Sequence, residues 1–171
     1  MLAAESAWRI LRLEHLRLRE LSTTIIRTLE VDHWYRRDQQ CQLLRALISG
    51  LQTFNDAAHR PKGVALLDAL RQHPDMTPFL DQLAQLQERC DKLLLDALGL
   101  LDAVDQGDRA AADRCAAMLH EHHRVLLLHL EQEDTLLHLH TSERLTPDEW
   151  SAVASSISLV MGGGNTPAPP R

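Results

Sequence analysis

Aromatic residues are scarce in this chain of 171 residues: two Phe, one Tyr and three Trp make up 4%, against 44% hydrophobic residues in all. The apolar share rests mainly on Leu and Ala, strong helix formers with little preference for strands, which argues against an all-β fold. Gly and Pro number seven each, and Gly162, Gly163, Gly164, Pro167, Pro169 and Pro170 crowd into the last ten positions, so the body of the chain is almost unpunctuated. Cysteine is limited to Cys41, Cys90 and Cys115. An odd, unclustered set with no C-x-x-C pair suits a reducing compartment and argues against a disulfide framework or a zinc knuckle. Long apolar runs are missing too: Asp, Glu, Arg or His interrupt the Leu-rich stretches well before the ~18 residues a membrane span needs. The first twenty residues carry charge at every turn and do not read as a secretory signal. A cytoplasmic protein is the expectation. Positive charge is in deficit, with 18 Lys+Arg against 24 Asp+Glu and a net charge of −6, which disfavours a nucleic-acid partner. No P-loop, G-x-S-x-G or Gly-rich dinucleotide turn is present, so nucleotide and hydrolase chemistry have no support and no enzymatic turnover is expected.

Helical periodicity runs through nearly everything up to residue 160. The first helix is expected from Ala4 to Leu29 and the second from Tyr35 to Ala58. Arg60-Pro61-Lys62-Gly63 then reads as an interruption before a continuation over Val64 to Arg71. The third opens at Thr77-Pro78, a cap followed by proline at the first helical position, and ends before Gly107. The fourth follows the N-cap Asp108 and extends to His140. A short fifth begins at Thr146-Pro147-Asp148-Glu149, a capping box, and ends at Gly162. Long helices on short loops bury their apolar faces against one another. The expected fold is therefore all-α, an up-down-up-down four-helix bundle over residues 1–160 with a short fifth C-terminal helix, followed by a flexible Gly/Pro-rich tail over 161–171.

Ten His residues are many for this length. On a wheel of about 100° per residue, His15 lies with Trp8, Leu11, Leu18, Ser22, Ile26 and Leu29 on the apolar face of the first helix. In the fourth helix one stripe gathers Cys115, Leu119, His122, Leu126, His129, Glu133, Leu137 and His140. His59 falls at the edge of its apolar arc, free to reach inward or stay wet. Ionisable groups on inward faces of neighbouring helices call for a shared explanation, because burying one without a partner costs kcal/mol on any scale. A metal ion between helices supplies one: imidazole and carboxylate suit iron, manganese or zinc, and His129-x-x-x-Glu133 puts two donors one turn apart on one face. The other explanation is a retained polar core of hydrogen-bonded His and Glu, or, for His59, a helix-end cation. His120, His123 and His138 are expected to face solvent, and Arg9, Arg12, Arg17 and Arg19 to form solvated pairs with Glu5, Glu14 and Glu20.

These residues resemble the hemerythrin-like HHE cation-binding domain family, over nearly the whole chain to residue 160. Leu13-Glu14-His15-Leu16-Arg17 resembles the first-helix pattern of that family, His59-Arg60-Pro61-Lys62-Gly63-Val64 its second signature, and His129-Leu130-Glu131-Gln132-Glu133-Asp134 its last. The resemblance implies a four-helix bundle with a non-haem iron site, and His15, His59, His129 and Glu133 as metal ligands. In two places the chain departs from the pattern: Gly63 stands where the family has a bridging carboxylate, and Cys90 where helix three has a ligating His. A degenerate site holding a single ion or none is therefore expected, possible help from Cys90 being left open; His122, about 10.5 Å along the axis from His129, is too distant to replace a ligand. Such a protein would sense or store metal, or bind a diatomic ligand of the O2 or NO type, and could form a homodimer. The alternative is a metal-free bundle serving as an interaction or regulatory module.

Overall fold

A computed structural model describes residues 2–36 and 39–163; the segment from 164 onward, which includes most of the expected tail, lies outside the described residues. Among the described residues there are helices and no strands. Helix α1 is Leu2–Leu29. Helix α2 spans 40–70, α-helical over Gln40–Phe54, π-helical over Asn55–His59 and α-helical again over Arg60–Leu70. Helix α3 is Thr77–Asp105. Helix α4 spans 109–144, with a π segment at Glu133–Leu137 between Arg109–Gln132 and His138–Arg144. Helix α5 is Pro147–Gly163, so residues 161–163 continue a helix rather than begin a tail. Among the described residues, no helix is long and apolar enough to cross a membrane.

The ends follow their residue chemistry. Asp108 accepts the Ala111 amide at 3.0 Å, capping α4 directly after Gly107, whose φ of +89° glycine adopts at no steric cost. Thr146 and Glu149 close a reciprocal box at the start of α5, the Glu149 carboxylate accepting from the Thr146 amide at 2.8 Å. Thr77 differs from expectation: it is already helical, Met76 takes the cap position, and no side-chain cap bond forms.

The larger difference is in α2. It starts at Gln40 rather than Tyr35, which sits in a separate 3-10 turn over Trp34–Arg36, and it runs through Arg60-Pro61-Lys62-Gly63 without a break. Proline lacks an N–H and crowds the preceding turn. The π segment immediately before it is wider and accommodates the ring, so Pro61 becomes the start of a further helical stretch rather than a stop.

Two clusters of buried side chains result. One joins Leu18, Ile25, Leu44, Leu51, Leu94, Leu101 and Leu130. The other joins Trp8, Leu11, Leu66, Leu70, Leu83, Leu137 and Trp150. On each of three helices buried ionisable side chains lie in sequence between the two clusters: His15 between Leu11 and Leu18, His59 and Lys62 between Leu51 and Leu66, and Glu133 between Leu130 and Leu137.

Candidate metal centre

His15, His59 and Glu133 come from α1, α2 and α4 and are all under 6% exposed. One potential ligand atom from each lies within 4.8 Å of the others. His15 Nε2 is 3.2 Å and His59 Nε2 is 3.4 Å from the same oxygen, Glu133 Oε2. The fourth expected ligand, His129, stands on the opposite side of that carboxylate, its Nε2 3.4 Å from Glu133 Oε1. The structure thus gathers three of the four around one point and places His129 against the other oxygen.

One of these residues owes its direction to a π segment. In an unbroken α-helix His59, eight residues after Leu51, would point about 80° away from it. A π turn advances only roughly 80° per residue, which over five residues brings His59 nearly into line with Leu51 and so into the core. Glu133 opens the second π segment. After it the buried face passes to Thr141, leaving His140 half-buried instead of continuing the expected stripe. On α1 the stripe likewise drifts to Ile25, with Ile26 only partly covered.

Each converging imidazole is backed by a carboxylate, and each carboxylate by a cation. His15 Nδ1 donates to Asp134 Oδ1 at 2.7 Å, and Arg19 holds Asp134 Oδ2 at 2.8 Å. His59 Nδ1 faces Glu14 Oε2 at 3.6 Å, while the buried Lys62 ammonium binds Glu14 Oε1 and the Ala58 carbonyl. A proton held at Nδ1 leaves the Nε2 lone pair pointing inward, the arrangement that carboxylates behind metal-bound histidines produce. Arg19 and Glu14 are therefore not the solvated charges expected from the helical wheel. Arg17 does pair with Glu20, whereas Arg9 and Arg12 make no ion pair among the described residues.

Electrostatically the cluster is a carboxylate among imidazoles. Burial opposes ionisation of Glu133, but His129, His15 and His59 outweigh it and hold the carboxyl well below its usual range. Burial also disfavours imidazolium at His59, yet Glu133 and Glu14 lift its pKa from 6.5 to about 9; Asp134 and Glu133 raise that of His15 against the same burial. Neither His15 Nε2 nor Glu133 Oε2 has a hydrogen-bond partner, and both are buried. Two such acceptors at 3.2 Å need a positive centre between them, either a proton or a metal ion.

Two of the three spacings suit an ion. Donors at 2.0–2.1 Å from a tetrahedral metal lie about 3.3 Å from one another, and the two N···O separations here are 3.2 and 3.4 Å. The chain matches no family model, no curated protein and no solved structure.

Cys90 does not belong to this layer. It packs in the first cluster, outside the group formed by His15, His59 and Glu133, and burial pushes its thiol up to about 12. With His122, also buried and lowered to about 4 by burial and the charge of His123, it lines a separate cavity of about 230 Å³. His123, expected in solvent, is half-buried with its Nδ1 2.8 Å from Ser22 Oγ; His138 lies edge-on to Trp8 with centroids 4.8 Å apart. Gly63 does lie at the site. A Cβ added there would meet nothing within 4 Å, because Gly63, His59, His129 and Glu133 share the wall of a cavity of about 330 Å³. The backing residues Glu14, Asp134, Lys62 and Arg19 escaped sequence reasoning; the one signal was that Glu14 and Asp134 directly adjoin His15 and Glu133.

Proposed function

We propose that the protein binds one transition-metal ion between α1, α2 and α4 through His15, His59 and Glu133, with His129 steadying the second carboxylate oxygen. The observation that carries this reading is the pair of inward Nε2 atoms, at least one with its tautomer set by a carboxylate behind it, facing a buried carboxylate oxygen that has no hydrogen-bond partner. Two imidazoles and one carboxylate suit Fe2+, Mn2+ or Zn2+, and the set matches the two-His, one-carboxylate arrangement of non-haem Fe(II) sites. In the hemerythrin-like reading the helices form an up-down-up-down bundle, the ion is non-haem iron, and the role is to sense or store metal or to bind a ligand of the O2 or NO type. The cavity at Gly63 supports access, since it reaches His129 and Glu133.

The raised pKa of His59 favours a second reading, in which a proton closes the cluster and the bundle is a metal-free interaction module. Melting curves separate the two. A ligand that binds only the native state at 100 times its Kd stabilises by about 2.7 kcal/mol, roughly 5–10 °C for a chain of this size. Anaerobic addition of Fe2+ to chelated protein is expected to raise Tm by that order, and His15→Gln to abolish the rise. No rise with Fe2+, Mn2+ or Zn2+ would leave the protonated scaffold.

A further inference from the structure

A groove of about 690 Å³ runs along the outer side of α1 against the junction of α4 and α5, on the far side of Trp8 from the His and Glu cluster. Its walls are apolar and aromatic: Trp8 and Trp150 line it with Leu13, Leu16 and Leu145. Leu13 is 62% and Leu16 55% exposed, large apolar side chains left facing water on one stretch of helix. Arg9 and Arg12 line the same groove, and neither makes an ion pair among the described residues, although most Arg and Lys side chains described do. Glu5 is the one acidic residue in the wall, so the groove holds a local excess of positive charge on a chain whose net charge is −6.

Apolar walls with two unpaired guanidinium groups one turn apart on α1 are the makings of a small-molecule site, and the volume falls within the usual range for one. We infer that the groove binds an amphiphilic carboxylate. Its aliphatic chain would lie between the two indoles and Leu13 and Leu16, and its head group would be held by Arg9 and Arg12, whose planar forks fit a carboxylate. The wall spans Ala4 to Leu16 on α1, about 18 Å at 1.5 Å per residue, long enough for a medium-length chain. This assignment does not depend on metal at the neighbouring cluster.

The test is a titration of the full chain with sodium dodecanoate below its micelle concentration, followed by tryptophan fluorescence and by calorimetry. Trp8 and Trp150 line the groove, whereas Trp34 packs in the other core and serves as a silent background. One dodecanoate per chain is expected, with binding weakened at least about tenfold in Arg9→Gln/Arg12→Gln, the cost of losing charge-assisted hydrogen bonds. A neutral-headed amphiphile of the same chain length should show a similar loss. Leu13→Glu, at an exposed position, should block binding without lowering Tm. Absence of saturable binding, equal affinity in the double arginine variant, or binding only to anionic vesicles would each overturn the assignment. So would a wild-type dimer that Leu13→Glu converts to monomer, which would make the groove a self-association surface.

Discussion

Glu133 is the residue whose ionisation sets the behaviour of the site. Three imidazoles stand within 3.4 Å of its two oxygens, and without a metal ion the cations closest to it are those imidazoles in protonated form. This gives the metal-free protein a definite pH dependence. His59 titrates at 6.5 when unfolded and at about 9 when folded, so its stabilising contribution is complete below pH 6.5 and is lost as pH rises through 9; His15 shifts in the same direction. Glu133 shifts the opposite way, contributing above its ordinary value of 4.5 and losing that contribution as pH falls through its depressed folded value. The urea midpoint of chelated protein is therefore expected to fall between pH 6.5 and 9. A metal ion needs neutral imidazole and competes with the proton, so stabilisation by metal should grow across the same interval. A chelated midpoint that is level or rises between those limits would contradict the charge assignment. His15, His129 and Glu133 were legible as inward residues because their helices are regular up to that point. Their backing was not, since His15 meets Asp134 across 119 positions of chain, which no helical wheel reports.

At the scale of elements, the starts of α4 and α5 were readable, while the start of α2, the cap of α3 and the helix interiors were less so. Asp108 and the Thr146 to Glu149 box are local devices, acting over three residues, and they sit where their chemistry places them. Asp108→Ala is expected to lower stability by about 1 kcal/mol in urea denaturation, the usual cost of an N-cap, while leaving metal uptake unchanged because the cap lies 25 residues from Glu133. Loss of uptake in that variant would mean that the seating of α4 is far more sensitive than its packing indicates. The π segments left no such local mark. Pro61 read as a break because proline usually ends a helix, but the widened turn before it keeps α2 continuous and turns His59 inward. The ambiguity of His59 on the wheel was thus a consequence of assuming 100° per residue through a segment that does not advance at that rate.

Across the whole molecule, ionisable side chains from α1, α2 and α4 form a layer between two apolar clusters. Helix α3 supplies no ligand to the group of His15, His59 and Glu133, and Cys90, which the resemblance aligns with a ligand, lies within the first core. The all-helical character followed from composition and periodicity. The joining of the two clusters by a polar layer did not, because it depends on which residues of distant helices share a level. In the proposed reading, three donors around one point and a single His at the second oxygen hold one ion. Metal content per chain, by mass spectrometry on untagged protein reconstituted anaerobically with iron and passed through a desalting column, tests this most directly. A ratio near one, falling to trace in Glu133→Ala, is the predicted result; a ratio near zero would contradict metal binding, and a ratio near two would contradict a single site.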